Sequence, residues 1–304
     1  LAYGKVILLG EHAVVHGHPA VAGAIDLDIR ARARVTAGPH TTLAVTGTWG
    51  VSASSADETQ LGRALGRLVA SVAPGRAFAI DAVTTLPAGA GLGSSAALSV
   101  ATARAIADAV GRVMNADELE AAANAAEAEF HDNPSGVDVA LAARGGLGVF
   151  RRGRGLRPIH AKPELLAVGL SGEPRSTGTM VARIGQQLRD EPDRVRPLLQ
   201  HLGDAATEGV VALTANDHEE IGHLFDRAQR ALYELGLSTD RIDQLVSVAR
   251  QSGALGAKLT GAGGGGAVIA MPAEQTVDSA ERIADAWAAV GFTAFVTRVG
   301  VVRS

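Results

Sequence analysis

The 304-residue chain is 47% hydrophobic and 20% charged, a globular composition able to bury a core in one large domain or two ordinary ones. Its formal net charge of −4, with no long basic run, excludes an obvious nucleic-acid surface or membrane-binding patch, and the absence of cysteine removes disulfides, thiolate metal sites and cysteine nucleophiles. Small molecules are the expected partners, with no nucleic acid and no membrane. No apolar segment is long enough to span a bilayer and the first residues do not read as a signal peptide, so a cytoplasmic location is expected. The sequence opens at Leu1 and reaches a motif almost at once, so a few preceding residues are expected. Of 28 Lys and Arg residues only Lys5, Lys162 and Lys258 are lysine. In a chain that usually carries positive charge on arginine, a lysine suggests a place that wants a compact, flexible ammonium.

In chain order, "KVILLG" (5–10) reads as a short buried strand that feeds the loop "EHAVVHGHP" (11–19). That loop holds Glu11, His12, His16 and His18, but it lacks the H-E-x-x-H spacing and a third-ligand pattern, which favours a polar loop meeting a substrate over a metal site. Over 24–35, Ile25, Leu27, Ile29, Ala31, Ala33 and Val35 alternate with Asp26, Asp28, Arg30, Arg32 and Arg34, the period of an antiparallel strand with one wet face. "TLAVT" (42–46) offers another strand. Asp57 to Ala73 is expected to be a helix with a capping-box-like Asp57 and Gln60 and a buried stripe of Leu61, Leu65, Leu68, Val69 and Val72.

Next come a strand at 77–83, the glycine-rich "LPAGAGLGSS" (86–95) and a helix over 95–110 that Gly111 could stop. A helix over 115–130, capped by Asn115 or Asp117, is interrupted by "HDNPSGVD" (131–138), and a strand follows over 145–153. The Arg-, Gly- and Pro-containing stretch 151–164 is the best junction, giving domains 1–155 and 156–304. Beyond it we expect a strand (165–172), four helices within 176–252, a strand–glycine-loop–strand (257–271), a helix (275–290) and a last strand (292–299). This mixture, antiparallel in both halves, is α+β.

Three segments carry candidate chemistry. Gly89, Gly91 and Gly93 let a backbone turn tightly against a ligand, and Ser94 and Ser95 fall where the first N–H groups of a helix lack partners, an arrangement that attracts phosphate. Standing alone, this loop would also fit a plain glycine turn with a serine cap. Glu127, Glu129, Asp132 and Asp138 form an acidic stretch whose last member follows a Pro-Ser-Gly turn, placed to bind Mg²⁺ or take a proton; solvated surface carboxylates are the bland alternative. The run Gly263 to Gly266 costs backbone entropy and implies either a close backbone approach or a flexible hairpin tip.

Taken in order, "GKVILLGEHAVVHGHPAVA", "LPAGAGLGSSAA", "FHDNPSGVD" and "KLTGAGGGG" resemble the GHMP kinase superfamily and, within it, the mevalonate kinases. The resemblance implies the GHMP kinase fold: an N-terminal domain like the second domain of ribosomal protein S5, joined to a ferredoxin-like C-terminal domain. It implies transfer of a phosphoryl group from ATP, with Mg²⁺, to the C5 hydroxyl of mevalonate, giving 5-phosphomevalonate and ADP. Asp138 and Lys5 would be catalytic. Pro87, Gly89, Gly91, Leu92, Gly93, Ser94, Ser95 and Ala96 would hold the nucleotide phosphates, with Gly263, Gly264 and Gly265 closing the site. Ser94 or Ser95 and Glu127 would hold Mg²⁺, and Glu11, His12 and Thr177 would meet the substrate. A homodimer is left open. Two departures stand out: Tyr3 occupies a position where the family usually has Pro, which questions the local turn, and Asp132 replaces a common Gly. The loop is not a Walker P-loop, because no lysine follows its glycines.

Competing readings are another GHMP kinase of a small or already phosphorylated alcohol, a non-catalytic protein on the same fold, and a dinucleotide-binding oxidoreductase built on "GAGLG". The last needs an acidic residue at the end of the next strand, whereas Asp108 falls inside a helix.

Overall fold

The computed structural model describes residues 1–130, 136–173 and 176–302. Asp132 lies outside the described residues. The frame of the first half is one long strand, β2 (Ala20–Thr36), which pairs antiparallel with β1 (Ala2–Leu9), β5 (Ala77–Thr84) and β6 (Leu147–Arg151). Its alternation follows the sequence: Ile25 and Ile29 are fully buried while Arg30, Arg32 and Arg34 are exposed. Asp28 breaks the pattern. It is buried, with Arg30 donating to both its carboxylate oxygens at 3.1–3.2 Å. β3 (Thr42–Gly47) adds parallel to β5, and the edge strand β4 (Val51–Ser54) adds antiparallel to β3.

On this sheet lies α2 (Ser94–Ala109), whose Ala and Ser side chains from Ala96 to Ala103 are buried on all sides. Small residues let the strand and its neighbours α1 (Gln60–Val72), α3 (Ala116–Glu127) and α4 (Val137–Arg144) approach closely.

The hairpin β6–β7 (Gly155–Pro158) ends this half. The second half is a four-stranded antiparallel sheet of β8 (Glu164–Leu170), β9 (Ala254–Thr260), β10 (Ala267–Pro272) and β11 (Thr293–Val299), ordered β11-β8-β10-β9. With α5 (Thr177–Asp190), α6 (Pro192–Ala215), α7 (His218–Glu234) and α8 (Asp240–Gln251) between its first two strands and α9 (Val277–Ala289) between its last two, it has the ferredoxin-like order. Buried Trp287 on α9 donates to the Leu245 carbonyl of α8 at 2.7 Å. The two sheets meet where Val299 of β11 pairs with Ile25 of β2. The α+β architecture is the one expected.

Local differences have local causes. The first helix starts at Gln60, capped by Thr59, whose hydroxyl accepts from the Gly62 N–H at 3.1 Å. The Asp57 carboxylate instead accepts from Ser54 N–H at 2.6 Å, fixing the preceding turn. Asn115, not Asp117, caps α3, in a reciprocal box with Glu118. β4, β7 and α4 were not expected, and a 3-10 turn (Ala13–His16) sits within the 11–19 loop. Tyr3 introduces no turn: β1 runs through it, with an irregular register between Tyr3 and Lys5.

α7 can lie directly on β9 because Gly222 faces Gly256; a Cβ on Gly256 would sit 1.9 Å from the Gly222 carbonyl oxygen. Gly256→Ala must push helix from strand, so we expect a loss of roughly 1–3 kcal/mol of stability, measured as a lower urea midpoint.

Candidate active site

Lys5 lies in the middle of β1 with its side chain only 4% exposed. Its backbone N–H donates to Leu92 O at 2.8 Å, and its ammonium donates to Gly91 O at 3.1 Å. The same ammonium lies 3.2 Å from Asp138 Oδ1. One residue thus gathers the glycine loop and the first turn of α4. Gly89, Gly91 and Gly93 all have φ between 68° and 77°, and a Cβ on Gly93 would come within 3.0 Å of Lys5 Cγ. The loop therefore needs glycine both for its left-handed turns and for the lysine stem beside it.

Gly93 is the N-cap of α2, and its carbonyl accepts from Ala97 N–H at 2.9 Å. Ser94, Ser95 and Ala96 follow in the first turn, where backbone N–H groups have no partner within the helix and the dipole favours an anion. Pro87 precedes the glycines, and Leu92, between Gly91 and Gly93, is buried.

Glu127 ends α3 and is buried, 3% exposed. Ser95 Oγ donates to one of its carboxylate oxygens at 2.9 Å and Ser99 Oγ to the other at 3.0 Å. Burial pushes this carboxyl up to about 7; the serine hydrogen bonds oppose the rise, and the nearby Asp138 charge adds to it. Ser99 was not expected in the site. It is one helical turn after Ser95, so the i, i+4 spacing carried the signal. Asp138 itself is 40% exposed, on the first turn of α4 behind Gly136 at φ 86°. Glu129, by contrast, is held by Arg63 and Arg67 of α1 and serves as a tether between helices.

The 11–19 loop meets the second half. Glu11 is fully buried and forms an ion pair with Lys258 of β9. Burial raises the Glu11 carboxyl and lowers the Lys258 ammonium, each charge opposing the effect on the other. His12 is buried with its Nε2 2.8 Å from Ala262 O, in a left-handed conformation (φ 58°) rare for a side-chain-bearing residue. His18 packs against Gly203 of α6.

In the β9–β10 hairpin, Gly264 N–H donates to Leu237 O at 2.7 Å. Cβ atoms on Gly263 and Gly265 would lie 2.5 Å from Leu237 O and 2.8 Å from Glu173 O. The glycines are thus required by a close backbone approach, one of the two readings of this run. Thr177 opens α5 and is exposed, and no hydrogen bond joins it to Asp138 among the described residues.

Beside Ser94 and Ser95 opens a cavity of about 220 Å³ with an almost wholly apolar lining that includes Trp49, Leu61, Leu98 and Phe130. It was not read from the sequence, because its walls come from β3, β4, α1 and α2, which only the fold brings together. No group of three or more His, Asp or Glu side chains among the described residues is arranged to hold a metal by itself. No helix among them is long and apolar enough to cross a membrane.

The GHMP kinases N terminal domain matches residues 60–146 and the GHMP kinases C terminal domain matches residues 210–292. The mevalonate kinase of Pyrococcus horikoshii is 33% identical, the alignment covering 98% of this chain and 94% of that protein. The mevalonate kinase of Pyrococcus abyssi is also 33% identical at the same coverage. The chain belongs to the mevalonate kinase family of GHMP kinases. The crystal structure of L. major mevalonate kinase in complex with R-mevalonate superposes with a TM-score of 0.88 at 26% identity, covering 100% of this chain and 96% of that one. Membership in the GHMP kinases makes the chain an ATP-dependent kinase acting on an alcohol, as its motifs implied.

The Glu127 environment gives a pH-dependent expectation. Its folded pKa is raised from 4.5 to about 7, so its contribution to stability is fully present below pH 4.5 and lost as pH rises through about 7. In metal-free buffer, Glu127→Gln should therefore gain stability over the parent between pH 5 and pH 8.5, by up to about 3 kcal/mol. Urea titrations at the two pH values read the difference; a pH-independent gap would contradict the environment described.

Proposed function

We propose that this chain transfers the γ-phosphoryl group of ATP to the C5 hydroxyl of mevalonate, giving 5-phosphomevalonate and ADP. The observation that carries the reading is the Lys5 ammonium shared between the Gly91 carbonyl of the glycine loop and the Asp138 carboxylate. It puts a proton acceptor and a cation beside the N-terminus of a helix suited to phosphate. The alcohol is proposed from the relatives, one of which is described with R-mevalonate bound.

In this reading the backbone from Pro87 to Ala96 holds the triphosphate, chiefly through N–H groups of Gly91, Gly93, Ser94 and Ser95. The apolar cavity bordered by Trp49 and Phe130 takes the nucleotide base, because it lies beside the serines at the phosphate end. Gly263, Gly264 and Gly265 close the site from the second half, with Thr177 near the phosphates. The halves 1–155 and 156–304 would be the two domains. Phosphoryl transfer asks for alignment and charge stabilisation more than covalent participation, and Lys5 and the α2 N-terminus supply both. Asp138 orients the hydroxyl and accepts its proton as the oxygen–phosphorus bond forms. His12 and Glu11 face the acceptor.

The residues also fit Mg²⁺. Glu127 and a Ser94 or Ser95 hydroxyl are hard oxygen donors, and burial disfavours the ionised form of Glu127, which a bound cation would favour. When bound, Mg²⁺ would neutralise phosphate charge.

Coupled ADP release with mevalonate, phosphomevalonate, homoserine and galactose tests the proposal, which expects turnover with mevalonate; turnover confined to another alcohol would overturn the substrate. Asp138→Asn keeps the shape and removes the proton acceptor, so kcat should fall by about 10²–10⁴-fold with little change in KM for ATP. His12→Ala should raise KM for mevalonate about tenfold or more through loss of a charge-assisted hydrogen bond, leaving KM for ATP near the parental value.

A further inference from the structure

Lys258 is fully buried, and its ammonium has three neighbours: Glu11 Oε1, the carbonyl of Leu259 at 2.7 Å and the ring of Phe225, centred 5.8 Å away. It does not stand alone on its strand. Two residues on, Thr260 Oγ1 accepts from Ile7 N–H at 3.0 Å and donates to Ile7 O at 2.9 Å. Two further on, the Ala262 carbonyl meets the His12 ring. Residues 258, 260 and 262 therefore present every second position of β9 and its continuation to β1 and the loop that follows it.

A buried ion pair is a poor device for stability, since a well-packed apolar pair of the same volume is usually at least as stable. It does fix a position. Glu11 immediately precedes His12, whose left-handed backbone is strained and persists only where its surroundings over-determine it. Those surroundings are the Lys258 clamp on Glu11, the Ala13 N–H donating to Glu11 O at 2.6 Å and the ring contact to Ala262. The second Glu11 carboxylate oxygen, Oε2, is buried and has no hydrogen-bond partner in the described residues, which leaves it able to accept from a ligand hydroxyl.

We infer that Lys258 is a positioning residue for the acceptor alcohol: through Glu11 it holds the 11–18 loop, and with it His12, against the glycine hairpin of the second half. The inference rests on the reading of that loop as the acceptor side. It assigns the scarcest basic residue type in the chain a second role, remote from the Lys5 cluster, that neither the family match nor the glycine motif specifies.

The test uses the double variant Glu11→Gln with Lys258→Met, because Lys258→Met alone strands a buried carboxylate and could fail to fold. The neutral pair should keep the thermal midpoint within a few degrees of the parent. KM for mevalonate should nevertheless rise about tenfold or more and kcat should fall, while KM for ATP stays within about threefold, because the phosphate loop and base cavity do not touch the clamp. Amide exchange of residues 11–18 should quicken about tenfold while that of α2 stays parental. A double variant with parental exchange in the loop and parental KM for mevalonate would overturn the inference. If the parent shows no turnover of mevalonate but loop exchange still quickens in the variant, the clamp stands and the acceptor reading falls.

Discussion

The site depends on one ammonium group held by two segments far apart in the chain. Lys5 reaches the glycine loop through Gly91 O and the first turn of α4 through Asp138, while its own main chain is bonded to Leu92. Moving Lys5 would release the loop and the carboxylate together. This explains why the lysine can sit outside the glycine motif: a Walker loop carries its lysine on the same turn as its phosphate donors, whereas here β1 delivers the charge from beneath. The loop is left as bare backbone, and the lysine stem occupies the space next to Gly93 that a Cβ would crowd. A charge set in place by folding needs little reorganisation when a phosphate arrives, which is the condition for electrostatic stabilisation in a transition state.

Two buried carboxylates illustrate how environment divides labour. Glu11 faces an ammonium and Glu127 faces two hydroxyls. Both are raised by burial, which the Lys258 charge opposes at Glu11 and the Ser95 and Ser99 hydrogen bonds oppose at Glu127. Hydroxyl donors stabilise an anion less than a full charge does. Glu11 is thereby tied to β9 of the second half, and Glu127 to the start of α2. The same residue type, at similar depth, anchors a loop in one place and a helix start in the other.

Much of this was legible in the sequence, for physical reasons. The period of two in β2 and the glycine pairs around α2 are local signals, and the ordered motifs pointed to Lys5, Glu11, His12, Glu127 and Asp138. Elements of four residues such as β4 and β7 carry too few alternations to register, and β7 ends in Pro158. Thr59 and Asp57 are both ordinary caps by residue type, and the contacts that accompany the Thr59 start are not local: Gln60, the first helical residue, donates to Glu129 O at 3.0 Å across to the segment after α3. The partners of Glu11 and His12 were out of reach because they lie about 250 positions away. The scarcity of lysine was the one sequence clue to Lys258. The apolar cavity left none, since Trp49 and Phe130 belong to segments that show no common periodicity.

The remaining constraint is how the halves are set against each other. At one end, β11 meets β2: Val299 pairs with Ile25, Gly300 N–H donates to Ala24 O at 2.7 Å, and Gly23 has no room for a Cβ, which would lie 2.5 Å from Val299 Cγ2. At the other end, Lys258, Thr260 and Ala262 engage Glu11, Ile7 and His12. A single line of contacts would leave rotation about that line free. Two separated lines remove it. The glycine loop and Asp138 belong to the first half, and the glycine hairpin belongs to the second, so their placement relative to one another is fixed only if both lines hold. Misplacement by about 1 Å can cost a hundredfold in rate. Buried, directional contacts along β9, which add little net stability, are the kind of interaction such alignment requires.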